Sequence, residues 1–384
     1  MQGLRRRAAA AGVGGAAAAV LGAGAVLGAS TAVARRVLLV DLERPDDVEV
    51  LAVDEVTVLV ERTPETVVDG RYALWCDGGR GHARMGRILA REGGAVRREL
   101  LGVDWGRLRP GPARFSACYY GGDPGRALGV AFDEVETRSD LGPMRAWEIP
   151  APEASSDRWA VLVHGRGGTR EECLRAVRPL HEAGLNVLIP MYRNDADAPP
   201  APDGRYSLGL SEWRDLESAC VYALQRGARE LVLGGWSMGG AIVLQMLHQS
   251  RLSPLVSRVF LDAPVVDWGD VLAQQARLHH VPQLLATAGQ QLMGRRAARR
   301  LVGVHEAVDV AQTDWVRRAG ELTHPVLIIH SVDDEFVPVG PSQRLAAARR
   351  DLVRLEEWRR ARHTKEWNLD PHRWEQVVRD WVAD

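Results

Sequence analysis

The segment of the sequence with the clearest chemistry is residues 235–239 (GWSMG), which follow an apolar run at 230–233 and precede an apolar helical pattern. A serine on a tight strand-to-helix turn can act as a nucleophile, and glycines two positions away on each side leave room for its backbone. The turn also places the serine at a helix N-terminus, which favours negative charge developing on a bound oxygen. We therefore expect Ser237 to be the nucleophile of an acyl-transfer reaction.

A second glycine-rich segment, residues 164–169 (HGRGGT), follows the apolar run 159–163. An oxyanion hole needs two backbone N–H groups that point at one site. We expect the N–H of Met238, directly after the nucleophile, to be one of them. The N–H of Arg166 is the expected second, because the flanking glycines let the backbone turn inward. The segment matches neither the P-loop pattern nor the dinucleotide fingerprint, so a nucleotide site is not favoured.

A nucleophilic serine needs a base, and the base needs an acid that orients it. Residues 331–338 (SVDDEFVP) form a loop rich in carboxylates after the apolar run 326–329. His363 is expected to be the base, because it is the histidine in the loop after the last predicted strand, 354–358.

These motifs together resemble those of the α/β-hydrolase superfamily. Residues 159–384 are closest to its serine esterases and prolyl-oligopeptidase-like enzymes, through HGRGG, GWSMGG, DDEFVP and a late histidine before a capped helix. In that family the acid lies three residues before the valine of a D-x-x-V-P loop. The resemblance therefore implies the triad Ser237, His363 and Asp334, with Asp333 as the nearest rival and Asp262 as a further alternative.

The pattern of the C-terminal part supports an α/β fold independently. Between residues 159 and 358, short and almost wholly apolar runs are separated by amphipathic helical patterns. Strands of this kind are buried on both faces, which indicates a mostly parallel sheet flanked by helices. Residues 264–323 are longer than one crossover needs and have helical spacing, so we expect a helical lid insertion there. We assign residues 151–384 to this catalytic domain.

The N-terminal part divides into two regions. Residues 37–150 show short alternating runs broken by Gly, Pro and Asp, which predicts a small β-rich domain of open function. Residues 1–36 contain an uncharged run at 8–34 after three arginines, long enough to span a bilayer. The readings for 1–36 are an apolar signal-anchor helix, a cleaved export signal or a disordered leader.

Residues 1–36 also determine the cellular location that we expect for the protein. An anchor or an export signal predicts a membrane-bound or secreted protein with its catalytic domain outside the cytoplasm. Because every candidate catalytic residue lies downstream, we expect removal of residues 1–36 to leave an active enzyme. Export would also permit a disulfide between Cys76 and Cys118.

The composition excludes several other classes of function. The chain has 384 residues, with 49 basic and 50 acidic side chains, so no net positive field attracts nucleic acid. Four cysteines exclude a scaffold built from disulfides. The sequence has no zinc-type ligand spacing and no cofactor motif, so we expect neither a metal nor a cofactor.

The function that these observations favour is hydrolysis of carboxylic esters through a Ser-His-Asp triad and an acyl-enzyme intermediate. Its partners would be a small acyl substrate and, through the N-terminal helix, a membrane. One alternative is a peptidase or acyl-peptide hydrolase of the prolyl-oligopeptidase-like type, although the region 37–150 is too short for the propeller of those enzymes. The other is a membrane-tethered binding module that retains the fold without catalysis.

Overall fold

The computed structural model describes residues 24–153 and 155–383, which contain a closed six-stranded barrel and an eight-stranded sheet. The strands are β1 Val48–Val53, β2 Thr57–Glu61, β3 Tyr72–Cys76, β4 Gly81–Glu92, β5 Ala95–Trp105, β6 Gly111–Ser116, β7 Asp133–Ser139, β8 Gly142–Ile149, β9 Arg158–Val163, β10 Asn186–Pro190, β11 Glu230–Trp236, β12 Val256–Asp262, β13 Val326–Ser331 and β14 Val353–Trp358. The helices are α1 over residues 24–37, then α2 Pro124–Leu128, α3 Leu174–Glu182, α4 Trp213–Gln225, α5 Met238–Gln249, α6 Trp268–Leu278, α7 Gln283–Gly294, α8 Arg299–Val302, α9 Gly340–Ala348, α10 Glu366–Leu369 and α11 Pro371–Ala383.

The barrel is built from β1 to β6, all paired antiparallel in the order β1-β2-β5-β4-β3-β6. Strand β1 pairs with β2 on one side and with β6 on the other, which closes the sheet and leaves no free edge. Alternate apolar side chains fill the interior, among them Val50, Val60, Leu74 and Met85. The period-two pattern of the sequence therefore does mark a β-rich unit, but the barrel occupies only residues 48–116 of the region 37–150.

The large sheet has the order β14-β13-β12-β11-β9-β10-β8-β7. Its strands from β9 to β14 pair in parallel. Those from β9 to β13 are the apolar runs of the sequence and are largely buried, whereas the edge strand β14 is partly exposed. Strand β8 extends the sheet antiparallel to β10, and β7 pairs antiparallel with β8. We had assigned residues 133–149 to the small β domain, and that boundary is wrong because β8 pairs with β10 along Ala146–Ile149.

The connection between β12 and β13 is helical, as the spacing within 264–323 predicted. It contains α6, α7 and α8 with short 3-10 turns between and after them. Buried side chains of this connection, including Trp268, Val271 and Met293, belong to the same apolar cluster as the sheet. That the insertion acts as a lid stays a prediction.

The apolar run 8–34 falls mostly on residues 1–23, which lie outside the described part of the chain, and residues 24–37 form α1. Over residues 24–153 and 155–383, no helix is both long and apolar enough to cross a membrane. The end of α1 packs on the eight-stranded sheet, where Ala34 and Leu38 are fully buried in the main core. Residues 24–36 are therefore part of the folded unit, which corrects the domain boundary at 36.

The four cysteines are free thiols. Cys76 is buried in the barrel, with its Sγ 3.6 Å from the carbonyl oxygen of Arg107. Cys118 lies beyond the end of β6, and burial raises the pKa of its thiol to about 11. The disulfide that export would permit between these two residues is not formed in this structure.

Candidate active site

Ser237 lies at the turn between β11 and α5, with backbone angles φ 51° and ψ −115°. A positive φ is strained for a residue with a Cβ, and such strain is typical of a serine held at the tip of a strand-to-helix turn. Gly235 and Gly239 are required beside it, because other backbone atoms lie too close to leave room for a Cβ. A Cβ at position 235 would lie 2.7 Å from the carbonyl carbon of Gly239, and one at 239 would lie 2.7 Å from the carbonyl oxygen of His164.

His363 lies in the loop between β14 and α10, and its ring bridges the two other predicted residues. Its Nε2 is 2.9 Å from Ser237 Oγ, and its Nδ1 is 2.7 Å from Asp334 Oδ2. With the proton on Nδ1, the ring donates to the Asp334 carboxylate and accepts from the Ser237 hydroxyl. This arrangement leaves Nε2 free to take the serine proton.

Asp334 is buried in the loop after β13, and all its acceptor positions face donors. Its Oδ1 accepts from the backbone N–H groups of Phe336 and Val337, both at 2.8 Å. Its Oδ2 accepts from His363 and, at 3.2 Å, from Nε2 of His330. Burial alone would raise the pKa of the Asp334 carboxyl, but the two imidazoles outweigh burial and hold this pKa well below its ordinary value.

The two rival acids lie elsewhere. Asp333 is exposed, and its Oδ2 accepts from the backbone N–H of Arg360 at 2.6 Å. Asp262 is fully buried at the end of β12, where its Oδ2 accepts from the indole N–H of Trp374 at 2.8 Å. Of these carboxylates, Asp334 is the one hydrogen-bonded to His363 through its side-chain oxygen.

The segment 164–169 lies directly against the serine, because a Cβ at position 165 would be 3.2 Å from the Ser237 Cβ. Its backbone is fixed by Glu172, whose carboxylate accepts from the N–H of Gly165 at 2.7 Å. Tyr192 donates its hydroxyl to the carbonyl oxygen of the same glycine at 3.0 Å. Met238 is the first residue of α5, where backbone N–H groups have no intrahelical partner. The two predicted oxyanion donors, Arg166 and Met238, thus both belong to segments in contact with Ser237.

Two residues near the site were not singled out from the sequence. His330 is fully buried and bridges Asp334 to the Ser342 hydroxyl, which is 2.9 Å from its Nδ1. It is the fifth residue of the apolar strand β13, and a polar side chain in such a strand could have indicated a functional role from the sequence. Glu366 is also fully buried and accepts the N–H of Ser331 at 2.9 Å, but nothing in the sequence marks it.

Glu366 lies behind the triad in a pair with Asp262. Burial and the neighbouring Asp262 carboxylate raise the pKa of Glu366 well above its ordinary value. Within the described part of the chain, Glu366 Oε2 and Asp262 Oδ1 have no donor partner. The raised pKa favours the neutral, protonated form of Glu366 beside the buried Asp262 carboxyl group.

In the part of the chain that the structure describes, no candidate metal centre is found. Among the described residues, no group of three or more His, Cys, Asp or Glu side chains is arranged to hold an ion. The chemistry that this geometry permits is proton transfer between a serine, an imidazole and a carboxylate.

Comparison with protein families gives two matches. The model described as the alpha/beta hydrolase family matches residues 160–380, which is more than half of the chain. A model described only as a domain of unknown function matches residues 49–116, the range of the barrel. No curated protein matches the chain.

Several solved structures are similar to this chain. An esterase from Pyrococcus furiosus is similar with a TM-score of 0.51 and 18% sequence identity, over 68% of this chain and 96% of that one. A thermophilic esterase from Thermogutta terrifontis has a TM-score of 0.45 at 17% identity, over 65% of this chain and 98% of its own. The esterase domain of a Rhodothermus marinus protein has a TM-score of 0.45 at 18% identity, over 66% of this chain and 98% of its own.

Proposed function

The chain belongs to the alpha/beta hydrolase family, and we propose that it is a serine esterase with Ser237, His363 and Asp334 as its triad. The observation that carries the proposal is one continuous set of hydrogen bonds. It runs from Ser237 Oγ to His363 Nε2 at 2.9 Å and from His363 Nδ1 to Asp334 Oδ2 at 2.7 Å. These are the contacts that a base-activated serine requires.

The reaction proceeds in two acyl transfers. In the first, Ser237 Oγ forms a bond to the ester carbonyl carbon while its proton passes to His363 Nε2. The bond to the alcohol then breaks, and His363 returns the proton to the departing oxygen. In the second, water attacks the acyl-enzyme, His363 takes the water proton, and Ser237 leaves with that proton as the acid is released. Asp334 holds the imidazole and stabilises its charged form in both steps.

The negative charge on the carbonyl oxygen needs donors that are already in place. We assign the N–H groups of Met238 and Arg166 to this role. Met238 has the position directly after the nucleophile at the start of α5. Arg166 follows Gly165, which lies against Ser237, and its segment is fixed by Glu172 and Tyr192.

The test is covalent labelling combined with kinetics. A fluorophosphonate probe should label the folded wild-type chain at Ser237, and Ser237→Ala should abolish the label. The same variant should lower hydrolysis of p-nitrophenyl acetate by at least about a thousandfold. Ser218→Ala is the matched control, because Ser218 lies on α4 and its hydroxyl bonds the Arg214 carbonyl.

The outcome of labelling separates the esterase from the other candidate functions. Absence of an adduct on folded protein would leave a binding module that keeps the fold without catalysis. Adduct formation with faster cleavage of aminoacyl or dipeptidyl amides than of esters would indicate the peptidase. The esterase proposal requires the adduct, the loss in Ser237→Ala and a preference for esters.

A further inference from the structure

An apolar cavity of about 630 Å³ lies between α1 and the helices α6 and α7. Val33 and Val37 line it from α1, and Leu272, Ala276 and Ala286 line it from the insertion. This volume lies within the range of pockets that bind small molecules. The cavity therefore has the size and the apolar lining of a ligand site.

The cavity adjoins the reacting groups. Phe336, which lines it, has its ring centroid 5.2 Å from that of His363. Arg166, on its other side, follows the glycine that lies against Ser237. Through Phe336 and Arg166 the cavity thus borders residues that neighbour the triad.

The α1 wall is fixed to the hydrolase sheet and to the insertion. Ala34 and Leu38 are fully buried, and the carbonyl oxygen of Leu38 accepts from the N–H of Tyr206 at 3.0 Å. The guanidinium of Arg35 donates to the carbonyl oxygen of Leu301 at 2.8 Å. The wall is thus held by hydrogen bonds to two other segments of the chain, at Tyr206 and at Leu301.

We propose that residues 32–41 form one wall of the substrate pocket and that the substrate is an ester with an extended apolar chain. The proposal rests on the proposed esterase function and specifies its substrate class. Burial of each methylene should raise kcat/KM roughly fourfold until the cavity is filled. The expectation that residues 1–36 are dispensable for activity then fails for the part from 32 onward.

The test uses two series of esters on the full chain. One is p-nitrophenyl esters from acetate to decanoate, and the other is acetates of alcohols from ethanol to decanol. Together the two series show whether the acyl chain or the alcohol chain of the ester occupies the cavity. We expect kcat/KM to rise with chain length in one of the two series. In that series, Val33→Trp should lower the ratio of kcat/KM for the eight-carbon ester to kcat/KM for the shortest ester at least about tenfold. Val37→Trp, one turn along α1, provides a second obstruction if the first variant does not fold.

Leu27→Trp is the matched control, because Leu27 is on α1 with its side chain exposed and does not line the cavity. It should keep the wild-type ratio. Chain-length profiles that are flat in both series, or the same loss in Leu27→Trp, would overturn the pocket assignment. Failure of the esterase proposal is distinguishable, since it would abolish acetate hydrolysis and probe labelling in the wild type.

A separate observation concerns the barrel, whose loop 62–71 contacts the loop that carries His363. Glu65 accepts from Arg362 Nη1 at 2.7 Å and from Lys365 Nζ at 2.5 Å. These two cations lie on either side of His363 in the chain, and Lys365 is the only lysine in the sequence. Burial by itself raises the pKa of Glu65, but the bonds from Lys365 and Arg362 outweigh it and lower that pKa.

The barrel loop is held rigidly by Arg98, whose side chain is fully buried. The guanidinium donates to the carbonyl oxygens of Thr66, Val68 and Gly70 at 2.9, 2.9 and 2.6 Å. Burial lowers the pKa of Arg98 to about 10, and the ring of Tyr72 lies 5.1 Å from its central carbon. Three backbone acceptors on one side chain fix the loop from which Glu65 projects.

A second contact joins the barrel to α10, the helix that follows the loop carrying His363. The side-chain amide of Asn368 donates to the carbonyl oxygens of Arg71 and Ala117 at 2.6 and 2.8 Å. The N–H of Arg71 donates back to the carbonyl oxygen of Asn368 at 2.8 Å. Gly70 approaches this backbone so closely that a Cβ there would overlap the Asn368 carbonyl group.

We infer that Glu65 is a positioning residue for His363, acting through Arg362 and Lys365. Glu65→Ala should lower kcat about tenfold with KM nearly unchanged, because the loop would hold the imidazole less tightly against Ser237 and Asp334. Lys365→Ala should lower kcat less, and the double variant should be no slower than Glu65→Ala alone. The downfield proton signal of the His363–Asp334 bond should broaden in Glu65→Ala.

Asp69→Asn is the matched control. Asp69 is a carboxylate of the same loop, but it pairs with Arg91 within the barrel at 3.6 Å. It should leave kcat and the downfield signal as in the wild type. A Glu65→Ala protein with reduced unfolding free energy but wild-type kcat and proton signal would make Glu65 structural only and overturn the inference.

Discussion

His330 and His363 donate to the same oxygen of Asp334, at 3.2 and 2.7 Å. His330→Ala removes one donor from a buried carboxylate and leaves the Ser342 hydroxyl without its imidazole partner. A buried hydrogen bond to a charged group contributes about 1.5–3 kcal/mol, so we expect kcat/KM to fall at least about tenfold. The matched control is His324→Ala, since His324 is buried but bonds Ser253. Equal losses in the two variants would contradict a specific role for His330.

The identity of the acid can be tested with two neighbouring carboxylates. Asp334→Asn should lower kcat roughly 10⁴-fold, because an amide facing His363 Nδ1 favours the wrong tautomer. Asp333→Asn should change kcat less than about threefold, since Asp333 is exposed and its carboxylate accepts from the backbone N–H of Arg360 rather than from His363. Ester hydrolysis by both purified variants, with unfolding curves, is the measurement. A large loss in Asp333→Asn would reassign the acid.

The pair of Glu366 and Asp262 predicts how stability depends on pH. Because the folded-state pKa of Glu366 is raised, its contribution to stability is present below the ordinary value of 4.5 and is lost as pH rises toward the folded pKa. Glu366→Gln keeps an acceptor for Ser331 and a donor for Asp262 without titrating. The difference in unfolding free energy between wild type and variant should therefore change with pH, by at most about 1.4 kcal/mol per unit.

Urea unfolding from about pH 5 to about pH 9 measures this difference, with the wild type losing stability relative to Glu366→Gln as pH rises. The contribution of Asp334 to stability depends on pH in the opposite direction, because the pKa of its carboxyl group is lowered. Its contribution is present above 3.8 and disappears only in stronger acid. A difference that is constant with pH would mean that Glu366 is ionised in the folded state.

The turn at the nucleophile predicts a strict requirement for glycine. In Gly239→Ala, the new Cβ would overlap the carbonyl oxygen of Val163 and lie 2.7 Å from that of His164. Backbone atoms cannot move aside cheaply, so we expect a loss of at least about 2 kcal/mol in unfolding free energy. Gly320→Ala is the control, since a Cβ there meets nothing within 4 Å, and its effect should stay within about 0.5 kcal/mol. Similar unfolding curves for both would contradict the packing argument.

The sequence predicts those features of the structure that depend on residues close together in the chain. Apolar runs gave the parallel strands, and the glycines around Ser237 gave the turn, because both depend on neighbours a few positions away. The insertion between β12 and β13 was visible from helical spacing for the same reason.

The parts that were missed depend on distant partners. Nothing in residues 133–149 distinguishes a strand of a separate domain from one that pairs with Asn186–Pro190 in another unit. The short apolar stretch of α1 resembles a membrane segment until its contacts with Leu301 and Tyr206 are known. Glu65 is an ordinary loop carboxylate until the pairing of two loops 300 positions apart places it beside Lys365.

The contact between Arg35 and Leu301 spans 266 residues of chain, which has a consequence for biosynthesis. At ribosomal speeds of about 5–20 residues per second, roughly 10 to 50 s pass between the synthesis of Arg35 and that of Leu301. During that interval the Arg35 side chain has no native partner. The pocket wall that α1 forms in the finished protein can therefore be completed only late in synthesis of the chain.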